Sequence, residues 1–406
     1  MDVLSELARP EALVDPYPIL AELRTHDPVH LTSNDVYLIS RYVDGRTVME
    51  NSALFRNPEP DEVAQLFPSA HRHRSQQLLL NSVALRNPPA HTRLRQPVAR
   101  AFTASRMESL RPGVERICDQ LLAPVAEQYL DGEVVDLNRT LAVPLPLAVF
   151  GELLGVPAED RAWLQKLVPS ALAAMRPDSS EEELCTADEA NSVIERYFLD
   201  LAERRRRDPG EDLVSLLVAV HDDEPDVLSA DDLMSMLWGL WAGGLATTTT
   251  AVDFGVLAMI DHPGKTRWLR GGPAEALAFV DELLRYEAPA MSTAISRFAQ
   301  RDVELSGVPV PKGADVRVLF PACNRDPDAF PSPDTFDPSR KHLHRNHLTF
   351  GHGLHYCLGA ALARMELAAV LPKVFSQLPA MVLHEQPTFH QAVPVRVFAS
   401  LLVSRG

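Results

Sequence analysis

Apolar residues recur at three- and four-residue spacing through most of the chain. They predict helices over roughly 17–26, 90–101, 106–127, 140–154, 158–174, 181–207, 228–261, 273–286 and 357–377. One start is explicit: Ser229 with Asp232 three residues on reads as a capping box, and Pro263 stops that helix after His262. A helix of about thirty residues would run roughly 50 Å and cross a whole domain. Period-two patterns are few: "VYLIS" (36–40), "TAISRFA" (293–299), "DVELSG" (302–307), "DVRVLF" (315–320) and "VRVFASLLV" (395–403). Pro311-Lys312-Gly313 reads as a turn with Gly313 at positive φ. Residues 321–347 hold five prolines and little periodicity, and a loop of that length in a compact domain is functional or packed. The pattern predicts a mainly α fold with a small β-rich flank, in one domain over residues 1–406, without repeats or linkers.

Bulk properties narrow the function. The chain has 406 residues and 46% hydrophobic positions, near the globular average, which favours neither disorder nor fibrous structure. Its formal net charge of −16 argues against nucleic-acid binding, which needs a basic face. Cys118, Cys185, Cys323 and Cys357 lie far apart with no C-x-x-C pair, so neither a disulfide framework nor a zinc knuckle is expected. The amino end lacks a signal-peptide pattern. Leu237–Ile260 is apolar enough to raise a membrane reading, but Asp253 and four threonines (Thr247–Thr250) in its middle favour a buried core helix. A cytoplasmic protein without a membrane span is the expectation.

The most specific stretch is Phe350-Gly351-His352-Gly353-Leu354-His355-Tyr356-Cys357-Leu358-Gly359, or F-G-x-G-x-H-x-C-x-G. Two glycines within three residues let the backbone turn sharply against a planar ligand. A cysteine opening a helix meets free N–H groups and the positive end of the dipole, both of which favour the thiolate. A thiolate so held is what a haem iron needs for splitting O–O bonds.

On this motif the sequence resembles the cytochrome P450 haem-thiolate monooxygenases in their soluble bacterial form. The likeness runs from "VDPYPILAELRTHDPVH" to the closing strands. It implies haem b with Cys357 as axial iron ligand, His355 as a propionate partner, and Phe350 packed near the sulfur, with Gly351 and Gly359 shaping the turn. Glu282 and Arg285 stand three apart on one helix face and can pair. In the family this pair is buried and joined by the arginine of F-D-P-x-R, here Arg340, which the resemblance makes a structural network. His91 and Arg95 share a helix face and, with Arg297, match the family's propionate-binding cations. His342, His344 and His347 alternate on a Pro-rich loop, without the fixed geometry of a metal site. Arg204–Arg207 complement a helix carboxyl end.

The family's distal pattern is [A/G]-G-x-[D/E]-T-[T/S], and this chain reads Gly243-Gly244-Leu245-Ala246-Thr247-Thr248. Thr247 matches the catalytic alcohol, while Ala246 replaces the acid and puts the usual proton relay in doubt. Asp253 lies two helical turns beyond Ala246 on the same face, as a distant acid or as the structural partner of an arginine. The loops expected above the haem (78–89, 167–177, 288–295, 391–395) are mostly apolar with scattered Ser, Thr and Asn and no acidic or basic cluster, which fits a neutral, moderate-sized apolar organic substrate. A composition rich in Ala, Arg, Leu and Pro, actinobacterial in character, fits a specialised-metabolite tailoring step. The resemblance implies electrons from NAD(P)H through a ferredoxin and ferredoxin reductase, with Arg93, Arg100 and Arg364 as a local basic patch, and a monomeric enzyme. Peroxide-driven chemistry on the same haem and a non-catalytic haem sensor are the competing readings.

Overall fold

The computed structural model describes residues 3–176, 179–293, 295–341, 343–390 and 395–406. Two compact units emerge: Met1–Arg56 with Ser109–Leu145 and Ala246–Gly406, and Asn57–Glu108 with Pro146–Leu245.

The first unit holds the strands. Its main sheet orders Val29–Leu31, Val36–Ile39, Asp315–Val318, Arg297–Ala299 and Phe55–Arg56, with Val36 opposite Asp315 in the parallel pair. Val29, Ile39, Val316 and Val318 put one face of this sheet into an apolar core with Val48, Phe55 and Phe320. Three helices of the same unit pack on one another: Ala246–Asp261, Pro273–Tyr286 and Ala360–Gln377. They approach closely because Gly255 has no side chain: a Cβ there would stand 2.6 Å from Leu371 Cδ2 and 3.3 Å from Leu283 Cδ2.

The second unit is helical. Its principal helix is Glu181–Arg207, opened by a Ser180/Glu183 capping box and packed on Ala158–Leu172, Leu213–Asp223, Ala230–Gly243 and Arg74–Asn81. The expected helix-end role of Arg204–Arg207 takes a specific form. Arg205 pairs with Asp212 at 2.6 Å and donates to the Gly155 carbonyl, while Arg206 pairs with Asp222 at 2.7 Å.

The mainly α architecture with a β flank agrees with the periodicity, and Ala90–Ala101, Glu181–Arg207 and Pro273–Tyr286 match their expected spans. Three expectations need correction. The helix expected over 228–261 is two, Ala230–Gly243 and Ala246–Asp261, since consecutive glycines give the backbone little reason to stay helical. The Ser229/Asp232 box does open the first of them. By length and composition the Ala230–Asp261 stretch is apolar enough to cross a membrane, but 67% of its most apolar window is buried in the protein. The strand expected over 395–403 divides: Phe398–Ser400 pairs with Thr388–Phe389, whereas Leu402–Arg405 lies between Val135–Asp136 and Met381–Leu383. Asp136 sets the change of sheet by accepting the Leu401 N–H at 3.1 Å. Finally, the cysteine helix begins at Ala360, with Gly359 as its N-cap, so Cys357 precedes the helix instead of opening it.

Candidate active site

The chain from Phe350 to Gly359 forms a closed turn. Gly351 and Gly353 have φ of +68° and +66°, left-handed values that side chains resist. Gly353 is also sterically fixed, because a Cβ there would come within 2.8 Å of the Met49 carbonyl oxygen and 2.9 Å of Glu50 Cα. Gly353–His355 makes one 3-10 turn, and the Cys357 N–H then donates to the Phe350 carbonyl at 2.9 Å. This closure leaves the Cys357 thiol exposed, with Phe350 and His355 half-buried. A Cβ at Gly359 would lie 3.9 Å from the Cys357 sulfur, ordinary contact.

Arg364, expected in a basic patch, braces the turn instead. Arg364 Nε pairs with Asp281 at 2.7 Å, its guanidinium lies 4.5 Å over the Phe350 ring, and it donates to the Tyr356 hydroxyl at 3.1 Å. It is a largely buried clamp. Arg93 likewise pairs with Asp232 at 2.8 Å and donates to the Val227 carbonyl. Of the three arginines expected to form a basic patch, two are therefore neutralised by carboxylates, and Arg100 stands exposed at a helix end. Only the long-range partners Asp281 and Asp232 reveal this.

Glu282, Arg285 and Arg340 do come together. The Glu282–Arg285 pair is completely buried, with Nη2 2.7 Å from Oε1 and Nε 2.8 Å from Oε2, and Arg340 Nε joins Oε1 at 3.3 Å. The guanidiniums then gather the Pro-rich stretch. Arg285 donates to the carbonyls of Asn324, Pro333 and Thr335, and Arg340 to those of Pro331, Ser332 and Thr335. Asn324 carries the link onward, donating to Thr349 Oγ1 at 2.8 Å and accepting the Leu348 N–H at 2.7 Å. The Pro-rich stretch 324–340 is thus a packed support for the cysteine turn, as the length of the expected loop implied.

Arg297 sits buried on its strand, where desolvation pushes its pKa down to about 10. In the second unit His91 is buried and Arg95 half-buried on Ala90–Ala101. His342 and the His344 side chain lie outside the described residues, as do 177, 294 and 391–394 of the apolar loops. Among the described residues no group of three or more metal-ligating side chains assembles.

At the distal pattern, Gly243 ends one helix and Ala246 begins the next, with Thr247 half-buried in its first turn. Gly244 passes close to Phe150, whose ring would be 3.0 Å from an added Cβ. Thr250 donates to the Arg396 carbonyl at 3.2 Å, an ordinary structural bond. Asp253 is buried, but its partner is not the expected arginine. The Asn138 amide, in a π-helical turn over Asn138–Ala142, donates to Oδ2 at 2.7 Å. Burial drives the Asp253 pKa well above the usual carboxylate range.

An exposed thiol on a glycine-shaped turn and a buried guanidinium are the kinds of group that suit an iron porphyrin with carboxylate side chains. The family model for cytochrome P450 matches residues 276–391, which contain both the Glu282 network and the cysteine turn. Cytochrome P450 BJ-3 of Bradyrhizobium diazoefficiens is 43% identical, covering 99% of this chain and 96% of its own. The 6-deoxyerythronolide B hydroxylase of Saccharopolyspora erythraea is 35% identical over 94% and 93%. The crystal structure of CalO2 superposes with a TM-score of 0.89 at 29% identity, covering 98% of both chains. With relatives of that identity along nearly its whole length and the same fold, the chain belongs to the cytochrome P450 family and is a haem b monooxygenase that takes electrons from NAD(P)H through redox partners.

Proposed function

We propose that Cys357 is the axial thiolate, and that the enzyme inserts one oxygen atom from O2 into a mostly apolar small organic molecule in a specialised-metabolite tailoring step. The carrying observation is the thiol itself. Cys357 and Cys185 are both exposed, but Cys357 alone ends a turn fixed by two positive-φ glycines, whereas burial raises the pKa of Cys118 to about 12 and that of Cys323 well above its usual value. Thiolate-ligated haem supplies the oxygen-activating chemistry when bound. In this reading His355, Arg297, His91 and Arg95 hold the propionates, and Phe350, Gly351 and Gly359 shape the turn against the ring. Gly243 and Gly244 leave room on the distal side, where Thr247 holds a proton donor in place and Ala246 contributes none. Kinship to 6-deoxyerythronolide B hydroxylase and the apolar loops support the substrate class. Residues 1–406 act as one catalytic domain, monomeric and cytoplasmic, served by a ferredoxin and its reductase.

Cys357→Ser is expected to lose the absorption band of thiolate-ligated haem in the reduced carbon monoxide form, because a serine oxygen donates too little charge. Alanine at Cys118, Cys185 or Cys323 is expected to keep it. A thiolate band in Cys357→Ser would overturn the assignment. Ala246 favours a second reading, in which hydrogen peroxide supplies the oxygen atom together with the two electrons and two protons that O2 would need, and leaves its other oxygen as water. Comparing product from hydrogen peroxide alone with product from NAD(P)H, ferredoxin and reductase separates the two.

A further inference from the structure

Two neighbouring carboxylates on the Pro273–Tyr286 helix serve different partners. Glu282 goes to Arg285 and Arg340, whereas Asp281 pairs with Arg364 of the Ala360–Gln377 helix at 2.7 Å. The Arg364 and Asp281 side chains are only 12% and 9% exposed. Arg364 then meets the cysteine turn and its approach. Its guanidinium lies 4.5 Å over the Phe350 ring, Nη1 donates to the Tyr356 hydroxyl at 3.1 Å, and Nη2 lies 3.3 Å from His347 Nε2. A guanidinium has no acceptor, so His347 Nε2 accepts and that ring adds no charge. Phe350 and Tyr356 flank the closure of the turn: the Cys357 N–H donates to the Phe350 carbonyl, and Tyr356 immediately precedes Cys357. One side chain therefore holds both flanks of the bond that sets where the thiol stands.

Two properties of this clamp pull against each other. Only a planar fork with several N–H groups can engage a ring face, a hydroxyl and an imidazole together. The same fork carries a full positive charge into a site where burial weakens screening. A cation beside a thiolate draws electron density toward itself and weakens what the sulfur gives to a metal. Asp281 cancels that charge without loosening the grip, because it takes Nε and leaves both Nη groups to the turn and His347. Burial alone would pull the Arg364 pKa down, but Asp281 and Tyr356 outweigh it and hold the pKa up.

We propose that Asp281, acting through Arg364, is a positioning residue for the Cys357 thiolate: the pair fixes the turn through Phe350 and Tyr356 while cancelling the charge that such a brace would set beside the sulfur. The inference rests on the reading of Cys357 as axial ligand.

Opposite charge changes separate this role from that of an ordinary structural pair. The holoenzyme is compared as wild type, Asp281→Asn, Arg364→Gln, Arg364→Lys and the double variant Asp281→Asn with Arg364→Gln. Asp281→Asn leaves a buried cation and is expected to raise the reduction potential of the haem, whereas Arg364→Gln leaves a carboxylate and is expected to lower it. The neutral double variant should return to the wild-type potential. Haem transfer to apomyoglobin should nevertheless run several-fold faster in both Arg364 variants and in the double variant, since none keeps the guanidinium on Phe350 and Tyr356. Shifts of the same sign in the two single charge changes, or no shift in either, would overturn the charge balance. Wild-type haem transfer in Arg364→Gln would overturn the brace. Weaker ferredoxin binding by Arg364→Gln, with potential and haem transfer unchanged, would assign Arg364 to docking and overturn both. Should a single charge variant not fold, the double variant must still hold the wild-type potential, and it and Arg364→Lys must still lose haem faster. Survival of the thiolate band in Cys357→Ser would sink the axial-ligand reading by itself, whatever these variants show.

Discussion

Glu282 shows what one residue contributes at this site. Its two oxygens answer Arg285, Arg340 and the Asp337 N–H, with no exposure of its own. Removing it leaves Arg285 charged, buried and without its carboxylate, a change that costs about 3–5 kcal/mol. Glu282→Ala is therefore expected to give insoluble or haem-free protein, and soluble holoprotein with an unchanged urea midpoint would refute the buried network. The E-x-x-R spacing made the pair legible in the sequence, and F-D-P-x-R supplied its third member. The carbonyls that finish the network were not legible, since they belong to 324–335, where no periodicity marks which backbone oxygens point inward. Arg364 teaches the same lesson from the other side. Sequence shows its charge, but Asp281, eighty-three positions away in the chain, decides that the charge is spent on a clamp.

Between elements, small residues decide how close helices come. Helix periodicity placed most boundaries well, because an amphipathic stripe reports burial directly. It failed at Gly243 and Gly244, where the apolar pattern continues although the helix does not. It was equally silent about Gly255, which looks like a helix weakness and is a contact point. Replacing glycine by alanine in a helix gains about 1 kcal/mol of propensity. Here the new Cβ would overlap Leu371, whose side chain is fully buried and has little room to move. Overpacking costs about 1–3 kcal/mol, so the clash outweighs the propensity. Gly255→Ala is expected to lower the thermal midpoint, and Gly255→Val to lower it further. A rise in midpoint for alanine would show that Leu371 can step aside and that the close approach is not needed.

Over the whole molecule, stability depends on where acids are buried as much as on the net charge of −16. Most carboxylates with altered pKa in ion pairs or caps, such as Asp222 and Glu183, are held low and stabilise the fold above their unfolded pKa. Glu366 behaves oppositely. It is buried on the Ala360–Gln377 helix with Oε2 lacking a hydrogen-bond partner among the described residues, and burial raises its pKa to about 8. Unfolded, the same group releases its proton near pH 4.3. Between those values the folded chain holds a proton that the unfolded chain has lost, so stability falls as pH rises across the window and levels off above about 8. Asp253, raised for the same reason, adds to the slope, while His262, whose burial lowers its pKa, opposes it at the acid end. Comparing one variant with wild type cancels both. Glu366→Gln keeps the shape and removes the titration, so its advantage in thermal midpoint over wild type should be small at pH 5 and grow to the equivalent of a few kcal/mol by pH 8.5. An advantage that does not change with pH would mean that Glu366 is ionised in the folded protein and finds its counter-charge there.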